Sequence, residues 1–113
     1  MPLNNKVILQ TANAAILKGD YEGFLSFCTD DTEWTFVGDQ TLKGKDAVRR
    51  YMAKEYIEPP RFSVSRFIED ESHIIAIGHI TIKDREGNTA EHEYCDVWKV
   101  QDGKLASLQA FVI

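Results

Sequence analysis

The sequence predicts an α+β fold, in which a curved antiparallel sheet wraps around three N-terminal helices. Apolar residues recur at helical spacing in the first half of the chain, and from about residue 61 onward strand-like alternation takes over. The 113 residues are enough for one domain and too few for two, so we expect a single domain over residues 1–113. Such a sheet would bury one face and leave a cavity at its open end.

Three helices are predicted before residue 60. The first covers about residues 3–18, and Gly19 suits its end because helices often finish on a left-handed residue. Asp20 can cap a second, short helix by accepting from its free amides. The third helix begins near Gly44, where Asp46 complements the helix dipole. The apolar stripes of the second and third helices are Tyr21, Phe24, Leu25, Cys28 and Ala47, Val48, Tyr51, Met52.

Strands are predicted between the second and third helices and again after Pro59 and Pro60. In the segment TEWTFVGD, Trp34, Phe36 and Gly38 share one face. The long segments HIIAIGHITIK, TAEHEYCDVWKV and LASLQAFVI are predicted as strands, because β-branched residues suit a pleated sheet and turn residues separate them. The tight turn QDGK joins the last two of these strands.

The isoleucine-rich strand is apolar on both faces. Ile75 and Ile77 lie on one face, and Ile74, Ile80 and Ile82 lie on the other. A sheet with one face in water cannot explain this pattern. We therefore expect a second copy of the chain to cover the outer face, which gives a homodimer through the sheet.

Charge and composition disfavour several classes of partner. With 13 basic and 18 acidic side chains the net charge is -5, which argues against nucleic acid. The N-terminus lacks the apolar core of a signal peptide and no apolar run approaches membrane-spanning length, so we expect a cytoplasmic protein without membrane contact. Neither Cys28 and Cys95 nor the three histidines have metal-ligand spacing, and we expect no metal and no cofactor.

Three segments, LKGDYEGFLSFCTDDTEW, LKGKDAVRRYM and YCDVWKVQDGKLASLQAFV, carry a family resemblance. Together with the order of the elements, they resemble the nuclear transport factor 2-like superfamily, in its ketosteroid isomerase and SnoaL-like branch. The resemblance extends over nearly the whole chain and implies a cone-shaped fold with a deep apolar pocket, usually in a dimer. It implies less about function, because this fold hosts isomerases, cyclases, hydrolases, hydratases and non-catalytic binders.

The resemblance also implies a set of site residues. Asp96 matches the acid that points into the pocket from the penultimate strand, and we expect Asp96 and His79 to act as acid and base. His92 is the alternative histidine. The residues expected to contact a small apolar ligand are Trp34, Phe36, Tyr51, Tyr94, Trp98, Leu108, Ala110 and Ala12.

Two positions depart from the steroid isomerases. Phe36 stands where that branch has an aspartate base, and Ala12 stands where it has a tyrosine that polarises the substrate oxygen. The steroid isomerase mechanism is therefore disfavoured, since a positioned base contributes orders of magnitude in rate. In the cyclase branch a carboxylate and a histidine share the acid–base work, and Asp96 with His79 or His92 resembles that pair more closely.

The sequence leaves the role of Asp96 open. Its carboxyl can work in a pocket, belong to a buried hydrogen-bond network with Tyr51, His79 or Arg66, or lie on the surface. Burial among aromatic rings would raise its pKa, whereas a nearby imidazolium would hold it ionised. Two functions remain open: a cofactor-independent isomerase, cyclase or hydratase that transfers protons on a small apolar molecule, or a non-catalytic dimeric domain that binds a ligand or serves as a scaffold.

Overall fold

The computed structural model describes residues 4–56, 58–84 and 86–113. In these residues none of the helices has the length and apolar character needed to cross a bilayer. The elements in chain order are α1 (Asn5–Leu17), α2 (Tyr21–Leu25), β1 (Cys28–Phe36), β2 (Gln40–Lys43), α3 (Lys45–Glu55), β3 (Arg61–Glu69), β4 (His73–Lys83), β5 (Thr89–Gln101) and β6 (Lys104–Val112).

The strands form a six-stranded sheet in the order β2-β1-β6-β5-β4-β3. The neighbouring strands β6, β5, β4 and β3 are antiparallel to one another, whereas β1 pairs with β6 in parallel. The predicted α+β class, a curved sheet packed against N-terminal helices, is confirmed. The parallel pair and the short strand β2 are additions to the antiparallel meander that the sequence predicts.

Local signals place the first two helices as predicted. The Asn4 side chain accepts from the amide of Val7 at 2.8 Å at the start of α1. Gly19, with a φ of 80°, follows the end of that helix in the left-handed region. The Asp20 carboxylate accepts from the amide of Gly23 at 2.9 Å and so caps α2.

The helices pack against one face of the sheet. Along β4 and β5, and along β6 beyond the register shift near Leu105, the even-numbered side chains point towards them, as the buried Ile74, Trp98 and Leu108 show. The largest fully buried side chains come from all three helices and the sheet: Phe24, Leu9, Leu25, Met52, Ile74, Leu105 and Val48. One end of this layer is packed core, and the other end contains a cavity.

Candidate functional site

A cavity of about 220 Å³ lies between the inner face of the sheet and the helices α1 and α3. Its walls are mostly aromatic and aliphatic, with few polar groups. The residues that line it are Asn13, Ile16, Trp34, Phe36, Tyr51, Tyr56, Pro60, Phe62, Ala76, Ile80, Ile82, Tyr94, Asp96, Trp98, Leu108, Ala110 and Val112. Val112, 48% exposed, lies where the cavity meets solvent.

Small residues beside Asp96 explain why the layer is hollow at this point. Asp96 of β5 is paired in register with Ala76 of β4 and with Ala110 of β6. In the next row Tyr94 is paired with Gly78, which has no side chain. Large side chains beside Asp96 would fill the space between sheet and helices. The methyl groups of Ala76 and Ala110 leave space around the carboxyl instead.

The Asp96 carboxyl has no protein partner in the part of the chain that the structure describes. Neither a hydrogen bond nor an ion pair reaches it, and burial raises its pKa to about 7. The residue keeps some accessible surface because it faces the cavity. Near neutral pH both the acid and the carboxylate are therefore populated, so the group can donate or accept a proton.

Three tyrosines share the cavity with Asp96. Burial raises the pKa of Tyr51, of Tyr56 and of Tyr94, the last to about 12. The negative charge of Asp96 further raises the pKa values of Tyr56 and Tyr94. The three hydroxyls therefore stay protonated at neutral pH and can serve as hydrogen-bond donors.

Trp34 lies at the centre of an aromatic cluster that forms one wall of the cavity. Its ring meets those of Phe24, Phe36, Tyr51 and Trp98 edge to face, with centroid distances of 5.7 to 6.4 Å. Its indole Nε1 is buried and has no hydrogen-bond partner in the described residues. Such interlocked rings hold a cavity wall in a fixed shape.

His79 does not face the cavity, contrary to the expectation from the sequence. Ile74, Ala76 and Gly78 of β4 are buried on the inner face, so the odd-numbered His79 points outward. Its Nε2 lies 3.2 Å from a carboxylate oxygen of Glu91, and its Nδ1 lies 3.4 Å from one of Glu93. These hydrogen bonds, first that to Glu91, raise the pKa of His79. His79 cannot share a proton with Asp96 across the sheet.

His92 is no nearer to Asp96. It lies on the inner face of β5 four residues away, or roughly 13 Å along the strand. Its Nδ1 is 3.2 Å from the carbonyl oxygen of Ile113, at the far end of the sheet. Within the described residues, no cluster of three or more His, Cys, Asp or Glu side chains is arranged to hold a metal ion.

Ala12 also differs from its expected position. It is fully buried in the core and does not line the cavity, whereas its neighbours Asn13 and Ile16 do. Successive residues of an α-helix are about 100° apart around its axis. Asn13 therefore points to a different part of the sheet from Ala12. Asn13 lies at i+4 from Leu9, and this spacing was the signal that could have identified it.

The other predicted contacts line the cavity, although their role in binding stays a prediction. They are Asp96, Trp34, Phe36, Tyr51, Tyr94, Trp98, Leu108 and Ala110. Among the residues that sequence reasoning missed is Tyr56, which follows the last residue of α3. It lies at i+4 from Met52 and so continues the apolar stripe of the third helix, a signal that could have identified it.

Comparisons with known proteins give one family and a consistent fold. The model of the SnoaL-like domain family matches residues 9–108. No curated protein matches this chain. SalBIII, described as an epoxide hydrolase/cyclase-like enzyme in pyran ring formation in polyether salinomycin, has a TM-score of 0.87 at 16% identity, over 96% of this chain and 89% of SalBIII.

Two further solved structures agree with this fold. A Δ5-3-ketosteroid isomerase from Mycobacterium sp. has a TM-score of 0.81 at 18% identity, over 93% of this chain and 89% of the isomerase. An NTF2-like protein of unknown function from Cytophaga hutchinsonii has a TM-score of 0.78 at 22% identity, over 97% of this chain and all of the other. Identities this low establish the fold alone.

Proposed function

Because the chain belongs to the SnoaL-like domain family, we propose that its cavity binds a compact, mostly apolar molecule and that Asp96 transfers a proton on it. The observation that carries this proposal is the carboxyl that faces the cavity without a protein partner in the described residues. Its pKa of about 7 suits a general acid or base at neutral pH. SalBIII and the ketosteroid isomerase, which share the fold, are named as enzymes, and this analogy favours a catalytic role.

The size of the cavity limits the ligand. Cavities for drug-sized ligands have about 300–1,000 Å³, and this one has about 220 Å³. A dry cavity of about 150 Å³ is enough for benzene. The proposed ligand is therefore a single-ring molecule, too small to be a four-ring steroid.

A single group that titrates near neutral pH favours one type of reaction. The Asp96 carboxylate takes a proton from one atom of the ligand, and the electron pair of the broken bond shifts along the molecule. The carboxyl, whose proton can exchange with water in between, then gives a proton to a second atom. This is an isomerisation without a net change in oxidation state. The hydroxyls of Tyr51, Tyr56 and Tyr94 can orient a polar atom of the ligand during this transfer.

Proton exchange with solvent tests this proposal. Single-ring compounds that bind in a thermal-shift screen are incubated in deuterated water, and deuterium uptake at carbon is followed by NMR. The wild type is expected to catalyse uptake, and D96N to be slower by about 100-fold or more while it still binds. D31N changes the charge by the same amount at an exposed position of β1 and serves as the control. Deuterium uptake by D96N at the wild-type rate would show that Asp96 does not transfer the proton.

A non-catalytic binding domain is the second candidate. It is favoured by the positions of His79 and His92, neither of which approaches Asp96. In that case Asp96 only anchors the ligand. Binding by the wild type without deuterium uptake, for every compound that binds, would support this alternative.

We also propose a homodimer through the outer face of the sheet. Ile75, Ile77, Cys95 and Val97 lie side by side on that face, and the neighbouring Phe111 is 42% exposed. The helices α1, α2 and α3 all lie on the other face. Four strands about 4.8 Å apart and roughly 30 Å long offer on the order of 600 Å², not far below the ~800 Å² per partner of a standard interface. Sedimentation is expected to give twice the 12.9 kDa of one chain.

A further inference from the structure

The ionisable charge on the cavity wall is of one sign, negative. Among the described residues that line the cavity, Asp96 is the only one with an ionisable carboxyl, and none is a lysine, arginine or histidine. Asn13 and the tyrosines add neutral polar groups. A ligand that enters therefore meets one negative or neutral carboxyl and no compensating cation.

An unpaired carboxyl in such surroundings favours a ligand that donates to it. Charged side chains are seldom buried without a partner, because burial removes their hydration. The protein supplies Asp96 with no donor in the described residues. A hydrogen-bond donor on the ligand would satisfy the carboxyl, and a positively charged donor would satisfy its ionised form best.

The aromatic walls add a second attraction for positive charge. The cavity that Asp96 faces is also lined by Trp34, Trp98, Phe36, Tyr51 and Tyr56. Aromatic ring faces carry partial negative charge and attract ammonium groups, with Trp the strongest. A cluster of rings beside one carboxyl is therefore a setting in which a cation has favourable contacts on several sides.

The tyrosine hydroxyls indicate that the cavity disfavours negative charge. Burial and, after it, the charge of Asp96 raise the pKa of Tyr94, and the same two effects act on Tyr56. A second negative charge in this cavity is thus disfavoured twice, by desolvation and by repulsion. Ligands that carry a carboxylate or phosphate would meet both penalties.

We propose that the cavity takes a protonated amine, a single-ring organic cation whose ammonium group pairs with the Asp96 carboxylate while its ring packs against Trp34 and Trp98. This inference rests on the proposed role of Asp96 as the group that meets the ligand. A bound cation keeps Asp96 ionised. The net charge of -5 favours the approach of such a ligand.

Three probes that share a ring and a one-carbon arm test the charge preference directly: benzylamine, benzyl alcohol and benzoate. Calorimetry at pH 7.5 is expected to show benzylamine binding about tenfold more tightly than benzyl alcohol, and no binding of benzoate. D96N is expected to lose the preference for the amine and to keep the affinity for the alcohol. D31N, with the same change in net charge, is expected to behave as the wild type does.

Proton release gives a second readout that a merely structural role of Asp96 would not produce. Near pH 6 most Asp96 is protonated, so benzylamine binding is expected to release a proton, detected as a dependence of the binding heat on the ionisation enthalpy of the buffer. D96N is expected to release none.

The outcomes distinguish a failure of the amine class from a failure of the proposed function. If benzyl alcohol binds as tightly as benzylamine and D96N weakens it, the amine class is wrong and the proposed role of Asp96 stands. If benzoate binds best, the charge argument is wrong. If none of the three binds to the wild type, both the amine class and the single-ring cavity of the proposed function are contradicted.

Discussion

Gly78 of β4 and Tyr94 of β5 are paired in register, and the missing side chain of the glycine makes room for the tyrosine hydroxyl. A Cβ atom on Gly78 would lie 2.9 Å from that oxygen and 2.1 Å from the carbonyl oxygen of Ser63 on β3. Gly78 therefore sets both the spacing of β3 and β4 and the position of a cavity-lining tyrosine.

The G78A variant is expected to be less stable by roughly 1–3 kcal/mol, because an added methyl group must displace backbone. The contact with the Ser63 carbonyl is the shorter one, and it cannot relax without moving β3 away from β4. Urea unfolding measures the loss. Y94F, alone and combined with G78A, is the control: full recovery in the double variant would show that the hydroxyl, not the backbone, limits this position.

Stability is expected to depend on pH through Asp96. Its pKa, about 7 in the folded protein, exceeds the ordinary value of 3.8, so between these pH values the folded protein holds a proton that the unfolded chain has released. The free energy of unfolding therefore falls as pH rises through this window, by up to about 1.4 kcal/mol per pH unit, and this loss ends above pH 7.

Unfolding of the wild type and D96N at pH 4 to 8 checks this prediction. D96N lacks the titrating group, so its stability relative to the wild type is expected to increase steadily across the window. D31N is expected to run parallel to the wild type, since Asp31 is exposed. Parallel curves for D96N and the wild type would show that the Asp96 carboxyl is not desolvated.

Local chemistry made much of the fold predictable from the sequence. Gly19 and Asp20 act through their own backbone or side chain, and they mark the end of one helix and the start of the next as predicted. The predicted QDGK turn is tight, with positive φ at Asp102 and Gly103. Such signals need no knowledge of the rest of the chain.

Features set by distant partners were not predictable in this way. β1 begins at Cys28, which the periodicity assigned to α2, because β6 pairs with Cys28 at Leu105. The two-residue period of a strand places His79 on the same face as Ile75 and Ile77. It does not say whether that face or the opposite face of the strand packs against the helices. Only the packing of Ile74 in the core decides that His79 points outward.

Filling the space beside Asp96 is expected to weaken binding. Ala110 lies next to Asp96 in the register of β5 and β6, and its methyl group lines the cavity. A110L is expected to reduce the affinity for benzylamine at least about tenfold, with unfolding changed by no more than ~2 kcal/mol because the added carbons enter existing space.

A53L adds the same side chain at an exposed position of α3 and is expected to bind as the wild type does. Unchanged affinity in A110L would mean that the ligand lies elsewhere. A lower affinity in both variants would indicate a general effect on the fold, not occlusion of the cavity.

A charge on the outer face is expected to separate the proposed dimer. Ile77 lies in the middle of this face, between Arg66 on β3 and Cys95 on β5. In a monomer the glutamate of I77E would remain hydrated. In the dimer the same carboxylate would lose its hydration, a cost that its cross-strand neighbour Arg66 would offset only in part. Sedimentation velocity is expected to show a dissociation constant raised about 100-fold or more, with the monomer still folded. Q40E, which adds the same charge on the edge strand β2, is expected to sediment as the wild type does. A dimer that persists in I77E would place the contact between copies on another surface and leave the exposed Phe111 without the cover proposed for it.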